Sequence, residues 1–192
     1  CEMEIYGAPS GSLFVGDPTN VALNQPATQS SQGWSGAAAR AVDGNTASQW
    51  GEASCTHTQA GDPEWWQVDL GSMYAIMEFN LYHRTDCCQD RLISAQIMIS
   101  DTDDYTTGTE CYSSASGGNV AQPEVASCSG ASGRFLTVAH AGDYITICEF
   151  EAMGVAGDYQ PLNNVPSSGT ATQSSEGWGG APARGIDEIG RA

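Results

Sequence analysis

The sequence predicts an all-β protein of the jelly-roll β-sandwich class. Short runs rich in β-branched and aromatic residues recur along the chain, and turns rich in Gly and Asp separate them. Long stretches with the apolar periodicity of an amphipathic helix are absent. With 23 glycines among 192 residues, the composition also favours a loop-rich β protein. The length is sufficient for one sizeable domain, or for one domain plus pieces of others.

Five runs predict the strands of this sandwich. They are residues 65–70, 75–82, 95–100, 135–138 and 144–151. In the second run polar residues alternate with apolar ones, which is typical of a half-buried strand. The chemically distinctive side chains fall instead in two loop regions, residues 28–57 and 83–91. A rigid scaffold that carries function in its end loops is therefore expected.

The charge balance restricts the class of partner. The net charge is −17, with only six Lys and Arg residues, which argues against a nucleic-acid partner because phosphate binding needs clustered basic residues. Acidic loops can hold calcium, although solubility alone would also account for the charge. No apolar run approaches the roughly 20 residues of a membrane helix, so no membrane insertion is predicted.

The cysteines predict an extracellular, disulfide-bonded protein. None of the seven cysteines lies in a CxxC pair, which argues against a zinc ribbon or a thioredoxin motif. A secreted location follows from this cysteine usage. No signal peptide is present and the first residue is Cys1, so the chain reads as a mature or excised segment. Cys87 and Cys88 are adjacent, and each has distant partners available as well as its neighbour.

The two ends of the chain resemble its interior. Residues 1–7 match residues 148–154 at an offset of 147, and residues 27–36 match residues 171–180 at an offset of 144. A tandem repeat is the simplest account. The predicted segments are a tail strand of a preceding repeat (1–8), a linker (9–19), a complete domain (20–152), a second linker (153–163) and the start of a following, truncated repeat (164–192).

The repeat organisation explains why Cys1 has no assigned partner in this chain. It corresponds to Cys148, so its natural partner is expected in the preceding repeat. An intermolecular bridge and a free thiol are the alternatives.

One polar constellation stands out within the predicted complete domain. His57 is followed after 26 residues by Arg84-Thr-Asp-Cys-Cys-Gln-Asp-Arg91. Each arginine presents a fixed fork of donors that stays charged, and charged donors make the stronger hydrogen bonds. A histidine adds a donor or acceptor from another direction. Side chains of these types suit the hydroxyl groups of a sugar, whereas either arginine alone would read as a surface ion-pair residue.

Residues 20–152 resemble the F-type lectin (fucolectin) family. The opening stretch 20–31 and residues 41–45 and 65–71 carry the similarity, and they are also similar to discoidin and other galactose-binding-like modules. The combination of His57, Arg-x-Asp, Cys-Cys and Arg91 is more specific. The resemblance implies an eight-stranded jelly roll with bound calcium and a shallow L-fucose site in its end loops.

The resemblance also implies a role for each sugar-site residue. His57, Arg84 and Arg91 would form the polar triad, and Asp86 would orient an arginine. Disulfides would join Cys55 to Cys148 and Cys111 to Cys128, which leaves Cys87 bonded to Cys88 as a polarizable plate against the sugar ring. Trp50 would receive the C6 methyl group of fucose, with Trp34 as a second candidate. The alternative is that both tryptophans belong to the core.

The calcium site implied by the family follows the oxygen-ligand preference of hard cations. Its ion is expected to be structural, holding a loop to a strand. Taken alone, the Asp-Gly-Asn sequence is only a turn in most proteins. The implied ligands are side-chain oxygens of Asp43, Asn45, Ser54 and Glu149 and the backbone carbonyls of Arg40 and Cys148.

The predicted function is calcium-dependent binding of terminal L-fucose on glycans, in gamete or cell recognition or in pathogen recognition. The expected partners are fucosylated glycans and neighbouring repeats, and an oligomeric assembly is compatible with this. No GxSxG elbow, HExxH helix or P-loop is present, so the chain is not expected to be an enzyme. The alternative function is a discoidin-like adhesion or structural module that binds protein or lipid without sugar.

Overall fold

The computed structural model describes residues 17–61, 63–113 and 122–157, together with the backbone of residues 6–7 and 163–164. The chain divides into two compact units, of which the larger comprises Phe14–Tyr159 and the smaller comprises both terminal segments. Most of the predicted preceding tail strand and of the predicted following repeat lies outside the described residues. No helix in the described part is both long and apolar enough to cross a membrane.

The described residues form strands and short 3₁₀ turns but no α-helix, which confirms the all-β prediction. The strands pair antiparallel throughout. They are β1 (Tyr6–Gly7), β2 (Thr19–Asn20), β3 (Ala27–Gln29), β4 (Glu64–His83), β5 (Gln96–Ser100), β6 (Thr109–Ser113), β7 (Glu124–His140), β8 (Ile147–Ala156) and β9 (Asn163–Asn164). In the larger unit the order is β2-β8-β4-β7-β5-β6, and β3 pairs with β4.

Strand β4 joins two strands that were predicted separately. Residues 65–70 and 75–82 lie in one strand whose pairing with β7 is interrupted by a register shift between Asp69 and Tyr74. Gly71 lies in this interruption at φ +77°, where its N–H donates to Asp69 Oδ1 at 2.8 Å. Because β7 follows β4 past the irregularity, the strand continues. The described part of the larger unit therefore has seven strands, where eight were predicted.

The predicted boundaries of the complete domain are too narrow at both ends. Strand β8 continues four residues beyond 152 to Ala156, because Ala156 pairs with Tyr74 and Met153 pairs with Asn20. Thr19, which was assigned to the linker 9–19, is the first residue of β2. Residues whose composition resembled that of a linker are therefore part of the sheet, because they pair with neighbouring strands.

The core lies beneath β4 and β8. Trp66, Phe79 and Phe150 are fully buried, with the ring centroids of Phe79 and Phe150 5.6 Å apart in a stacked arrangement. Trp66 Nε1 donates to the carbonyl of Ala38 at 2.9 Å, which satisfies the one polar atom of that ring. Burial of one such side chain stabilises the fold by about 1.5–3 kcal/mol.

The described residues contain three disulfides, and they are the three pairs that the family resemblance implied. Cys111–Cys128 joins β6 to β7, and Cys55–Cys148 joins the loop before β4 to β8. The third is the adjacent pair Cys87–Cys88. Each of the two long-range bonds is expected to stabilise the fold by about 2–4 kcal/mol.

The smaller unit contains a strand pair of its own. Strand β1 pairs with β9, with Tyr6 opposite Asn164 and Gly7 opposite Asn163. Under the two repeat offsets, Tyr6 corresponds to Met153 and Asn164 corresponds to Asn20. Met153 and Asn20 are themselves opposite each other in the β2–β8 pair, so the two pairs share a register. The tandem-repeat organisation remains a prediction.

Candidate functional site

His57 is held by its backbone to a tight turn in the loop before β4. The N–H of Gly33 donates to the His57 carbonyl at 2.7 Å, and the His57 N–H donates to the Gly36 carbonyl at 3.0 Å. Both glycines are needed because a Cβ atom on Gly33 would lie 2.8 Å from the Thr58 carbonyl oxygen, and one on Gly36 would overlap the backbone of His57. The position of His57 is therefore set by close backbone contact.

The residues on either side of His57 are bonded to the segment that leads into β8. Thr56 N–H donates to the Ile147 carbonyl at 2.7 Å, and Thr58 N–H donates to the Ile145 carbonyl at 3.1 Å. The two threonine hydroxyls accept from the N–H groups of Ile147 and Ile145, both at 2.9 Å. Together with the adjacent Cys55–Cys148 bond, these contacts fix the backbone around His57.

The hydrogen bonds of the His57 ring define its tautomer. Nε2 lies 3.1 Å from Arg91 Nη1, and because a guanidinium can only donate, Nε2 is an acceptor. Nδ1 therefore carries the hydrogen and donates to the Thr58 carbonyl. Burial lowers the pKa of His57 below 6.5, the charges of Arg91 and Arg84 lower it further, and the bond to Thr58 opposes them. His57 is thus a neutral imidazole with one acceptor facing Arg91.

Arg84 is oriented by Asp86 and Trp50. Its Nε and Nη2 donate to the two carboxylate oxygens of Asp86 at 2.9 and 2.8 Å, and its guanidinium carbon lies 5.2 Å from the Trp50 ring centroid. The hydrogen bonds from Arg84 lower the pKa of Asp86 to about 2. The backbone N–H of Trp50 also donates to Asp86 Oδ2, at 3.3 Å. Asp86 therefore acts on Arg84, as the family resemblance implied.

Tyr144 is a residue that sequence reasoning missed as part of the site. Its ring centroid is 5.3 Å from that of His57 in an edge-to-face arrangement, and it lies 4.6 Å from the guanidinium carbon of Arg91. No sequence signal indicated this role, because residue 144 was predicted only as the start of a strand. The structure begins β8 three residues later and leaves Tyr144 free to face the loops.

The structure brings the predicted triad together with two aromatic rings. Trp50 packs edge-on against His57 at 5.4 Å between ring centroids, so the His57 ring lies between Trp50 and Tyr144. Arg84 lies over Trp50, and Arg91 over Tyr144. Trp50 is half-buried in a 3₁₀ turn (Trp50–Glu52) and is not a core residue. This arrangement combines charged donors, a neutral acceptor and apolar ring edges, which suits a polyhydroxylated ligand with one apolar face.

The adjacent cysteines lie in the loop that connects Arg84 to the 3₁₀ turn Gln89–Leu92, which carries Arg91. Both are half-buried, and Cys88 has φ +59°. Their contact with a ligand remains a prediction. Trp34, the second tryptophan candidate, is 80% exposed, so it does not belong to the core.

Glu149, one of the predicted metal ligands, lies beside the Asp43–Asn45 turn. This residue is fully buried, its Oε1 accepts from the Gly44 N–H at 3.1 Å, and its Oε2 has no hydrogen-bond partner. Burial raises the pKa of Glu149 to about 7, and Asp43 and Glu151 add repulsion. A buried carboxylate oxygen without a partner, beside a second carboxylate, fits a bound cation.

The other predicted ligands contribute oxygen atoms around the same turn. Asp43 Oδ1 accepts from the Asn45 N–H at 2.9 Å, and Asn45 Oδ1 accepts from the Ala47 N–H at 3.1 Å. The buried Ser54 hydroxyl donates to the Ala47 carbonyl. Across the described ranges, no three His, Cys, Asp or Glu residues cluster as a metal site. A cation here would therefore need hydroxyl, amide or carbonyl oxygens as well as carboxylates.

The side chain of Arg40 has a separate contact. Its Nη1 donates to the Cys55 carbonyl at 3.1 Å, so only its backbone carbonyl is a candidate ligand, as for Cys148.

Comparison with known proteins identifies the family of this chain. Residues 40–138 match the model of the NedA-like galactose-binding domain, which is one of the F5/F8 type C domains. The chain belongs to this family. As a galactose-binding domain it has the jelly-roll architecture that the sequence predicted.

Proteins similar to this galactose-binding domain include lectins and sugar-binding modules. Fucolectin-4 of Anguilla japonica is 43% identical over 100 residues, which cover 48% of this chain and 55% of that protein. The chain spans about half the length of the curated fucolectins it matches. These relatives support the prediction that the domain is not an enzyme.

Two solved structures share its fold. The F-lectin (fucolectin) from the serum of Morone saxatilis is 31% identical with a TM-score of 0.67, and the match covers 91% of this chain and 61% of that one. A fucose binding module of Streptococcus pneumoniae, SpX-3, is 29% identical with a TM-score of 0.61 over 70% of this chain and 96% of that module.

Proposed function

We propose that this galactose-binding domain is a lectin that binds terminal L-fucose on glycans through His57, Arg84 and Arg91. The observation that carries the proposal is a buried imidazole that contacts two aromatic rings, with Arg91 hydrogen-bonded to it and Arg84 lying over one of those rings. Similarity to proteins named fucolectin and fucose binding module supports fucose as the sugar.

The geometry suggests how each polar group would act. Asp86 occupies Nε and Nη2 of Arg84, which leaves Nη1 to donate to a sugar oxygen. Arg91 Nη1 donates to the His57 Nε2 acceptor, so a sugar hydroxyl that enters between them and replaces this contact can donate to His57 and accept from Arg91. Because Arg84 and His57 are at most 9% exposed, these hydrogen bonds form with little competing water. The edges of Trp50 and the Cys87–Cys88 pair are proposed to contact the apolar parts of fucose.

A calcium ion is proposed to hold the loop that carries this site. Glu149 and Asp43 would provide carboxylate oxygens for it. A cation would give the unpartnered Oε2 of Glu149 a positively charged partner. It would also tie the Asp43–Asn45 turn to β8 beside the Cys55–Cys148 bond. Its role would be structural. The remaining ligands would be Asn45, Ser54 and the backbone carbonyls of Arg40 and Cys148.

The setting proposed for the domain is extracellular. Three disulfides among the described residues are typical of proteins that fold in oxidising compartments. Recognition of gametes or other cells and recognition of pathogens both fit a fucose-binding lectin. Repeated copies of the domain in one protein, or an oligomer of it, would strengthen weak single sites by raising the effective ligand concentration.

Calorimetric titration of the full chain with L-fucose tests the proposal. Arg84→Ala should weaken binding at least about 30-fold, because it leaves Asp86 unpaired and removes a charged donor. Arg134→Ala is the matched control, since Arg134 makes a similar bidentate pair with Asp69 outside the site. A folded wild-type chain that produces no heat with fucose would overturn the proposal and favour the discoidin-like alternative, a module that binds protein or lipid.

A further inference from the structure

A groove that the fucose proposal does not use lies beside the proposed fucose site. Its volume is about 470 Å³, which is within the range of about 300–1,000 Å³ that ligand pockets occupy. Its walls include Trp34, Gln32, Thr58, Gln59 and Tyr144. Tyr144 also contacts His57 and Arg91, so the groove and the polar triad share a wall.

Trp34 is presented to this groove by a turn whose conformation is unusual. Trp34 and Ser35 have φ +47° and +60°, and the Gly36 N–H donates to the Gly33 carbonyl at 2.9 Å. This is the backbone pattern of a type I′ turn, in which Gly, Asn and Asp dominate the central positions. A tryptophan in the left-handed region is a genuine outlier for a bulky residue. The turn thus holds an indole 80% exposed at a backbone cost.

The turn is also rigidly connected to the proposed fucose site. Both of its ends are hydrogen-bonded to the backbone of His57, and Gln29 Nε2 bridges the carbonyls of Gly36 and His57 at 3.0 and 3.2 Å. On the opposite side, Gln59 Nε2 donates to the Gln32 carbonyl at 3.2 Å. The backbone of Trp34 is therefore held at a set position relative to His57, which favours a preorganised binding surface.

We propose that this groove is a second sugar subsite, which takes the residue to which the terminal fucose is linked and stacks it on Trp34. The inference rests on the proposed function, because a sugar linked to fucose that is bound at the triad must extend over a surface next to the triad. An exposed, rigid aromatic ring offers a large apolar surface at low entropic cost. The preferred ligand is then a fucosylated oligosaccharide, with fucose alone as the weaker ligand.

Calorimetry of the full chain with L-fucose and with a panel of fucosyl disaccharides of different linkage tests the subsite. At least one disaccharide should bind roughly two- to tenfold more tightly than fucose. Trp34→Asn should remove that gain and leave the affinity for fucose within about twofold, because Asn tolerates the left-handed conformation and the turn is kept. Val125→Thr, which alters an exposed apolar residue of β7, is the control.

The outcomes separate the two proposals. Fucose binding with no gain for any disaccharide, or a gain that persists in Trp34→Asn, would overturn the subsite and leave the fucose site standing. Absence of binding to every ligand would overturn both. Tryptophan fluorescence gives a second readout: the preferred disaccharide should shift the wild-type emission more than fucose does, and this difference should vanish in Trp34→Asn.

Discussion

His57 is the residue whose environment determines how the site responds to pH. Burial in the loop, and the nearby charges of Arg91 and Arg84, keep its pKa below 6.5. The His57 side chain takes up a proton near pH 6.5 in the unfolded chain but only at a lower pH in the folded chain. The contribution of neutral His57 to stability is therefore fully present above pH 6.5 and decreases as the pH falls below that value. When His57 in the folded chain takes up its proton at this lower pH, the proposed acceptor at Nε2 is lost.

A pH titration of fucose binding follows from this. The affinity should be constant between about pH 8 and 6.5 and should fall at lower pH, because a protonated imidazole cannot accept from a sugar hydroxyl and repels Arg91. Calorimetry at several pH values measures the effect, with circular dichroism to show that the chain stays folded. His140→Gln should leave the profile unchanged, since His140 bonds the Ile93 carbonyl away from the triad. An affinity that already falls between pH 8 and 7 would contradict the neutral imidazole.

Asp86 and Tyr144 show how far residue-level reasoning extends. The Arg-x-Asp spacing led to the expectation that Asp86 orients an arginine, and the two side chains form a bidentate pair. Such a local pair is readable from sequence because its members are two residues apart. Tyr144 contacts His57 across a long stretch of chain, so nothing in its immediate neighbours indicates the contact.

At the scale of elements, the site depends on the turn at Gly33–Gly36 and on the loop at His57. The two segments lie so close that neither glycine can carry a side chain without displacing its neighbour. The same contact sets the position of His57 and that of Trp34. A change that displaces the backbone of this turn should therefore alter both proposed sugar subsites together.

Gly36→Ala tests the importance of this close approach. The added methyl group would overlap the backbone of His57, so we expect a loss of about 1–3 kcal/mol of stability from overpacking and a weaker fucose affinity. Gly51→Ala is the matched control, because a Cβ atom there meets nothing within 4 Å although Gly51 lies in the neighbouring turn Trp50–Glu52. Chemical unfolding and calorimetry measure the two effects. Equal behaviour of the two variants would contradict the steric account.

The turn at Asp43–Asn45 and strand β8 form the second pair of coupled elements. If calcium binds between them, it should raise the thermal midpoint of unfolding, by an amount equivalent to about 2.7 kcal/mol when the ion is at 100 times its Kd. Glu149→Gln should abolish the calcium response, whereas Glu110→Gln, on the exposed face of β6, should retain it. A chelator that changes neither the midpoint nor fucose affinity would remove calcium from the proposal.

At the scale of the whole molecule, the repeat hypothesis and the strand pairs agree in register. Tyr6 and Asn164 are opposite each other in β1–β9, as their sequence equivalents Met153 and Asn20 are in β2–β8. The sequence match concerned residue types alone, and backbone pairing is an independent property. The two terminal segments therefore pair in the register expected of strands β2 and β8 in one copy of this fold.

Cysteine cross-linking tests this complementarity in a Cys1→Ser chain. Tyr6→Cys combined with Asn164→Cys should form a disulfide under mild oxidation, because directly opposite residues project to the same face of a strand pair. Asn20→Cys with Met153→Cys is the equivalent pair in the larger unit and should behave alike. Gly7→Cys with Asn164→Cys shifts the register by one residue and should cross-link poorly. Peptide mass spectrometry that finds equal yields for the matched and shifted pairs would contradict the shared register.

The sequence by itself determined the all-β class and singled out the polar residues of the proposed site. These properties follow from composition, local alternation and short motifs such as Arg84–Arg91, in which the informative residues lie close together or at a recognisable spacing. The family resemblance added the jelly-roll fold and the three disulfide pairs. The joining of residues 65–70 and 75–82 in one strand and the end of β8 at Ala156 escaped prediction because strand continuity depends on the partner strand, which is β7 for the first and β4 for the second.

Only the tertiary structure decided how the site is built. The neutral state of His57 comes from burial beneath segments that are distant in sequence, and the wall formed by Tyr144 exists because Ile145 and Ile147 bond to the threonines beside His57. The exposure of Trp34 results from a turn held at both ends by the His57 backbone. Contacts of this kind depend on the relative placement of distant backbone segments, which the chain specifies only through the packing of the whole sheet.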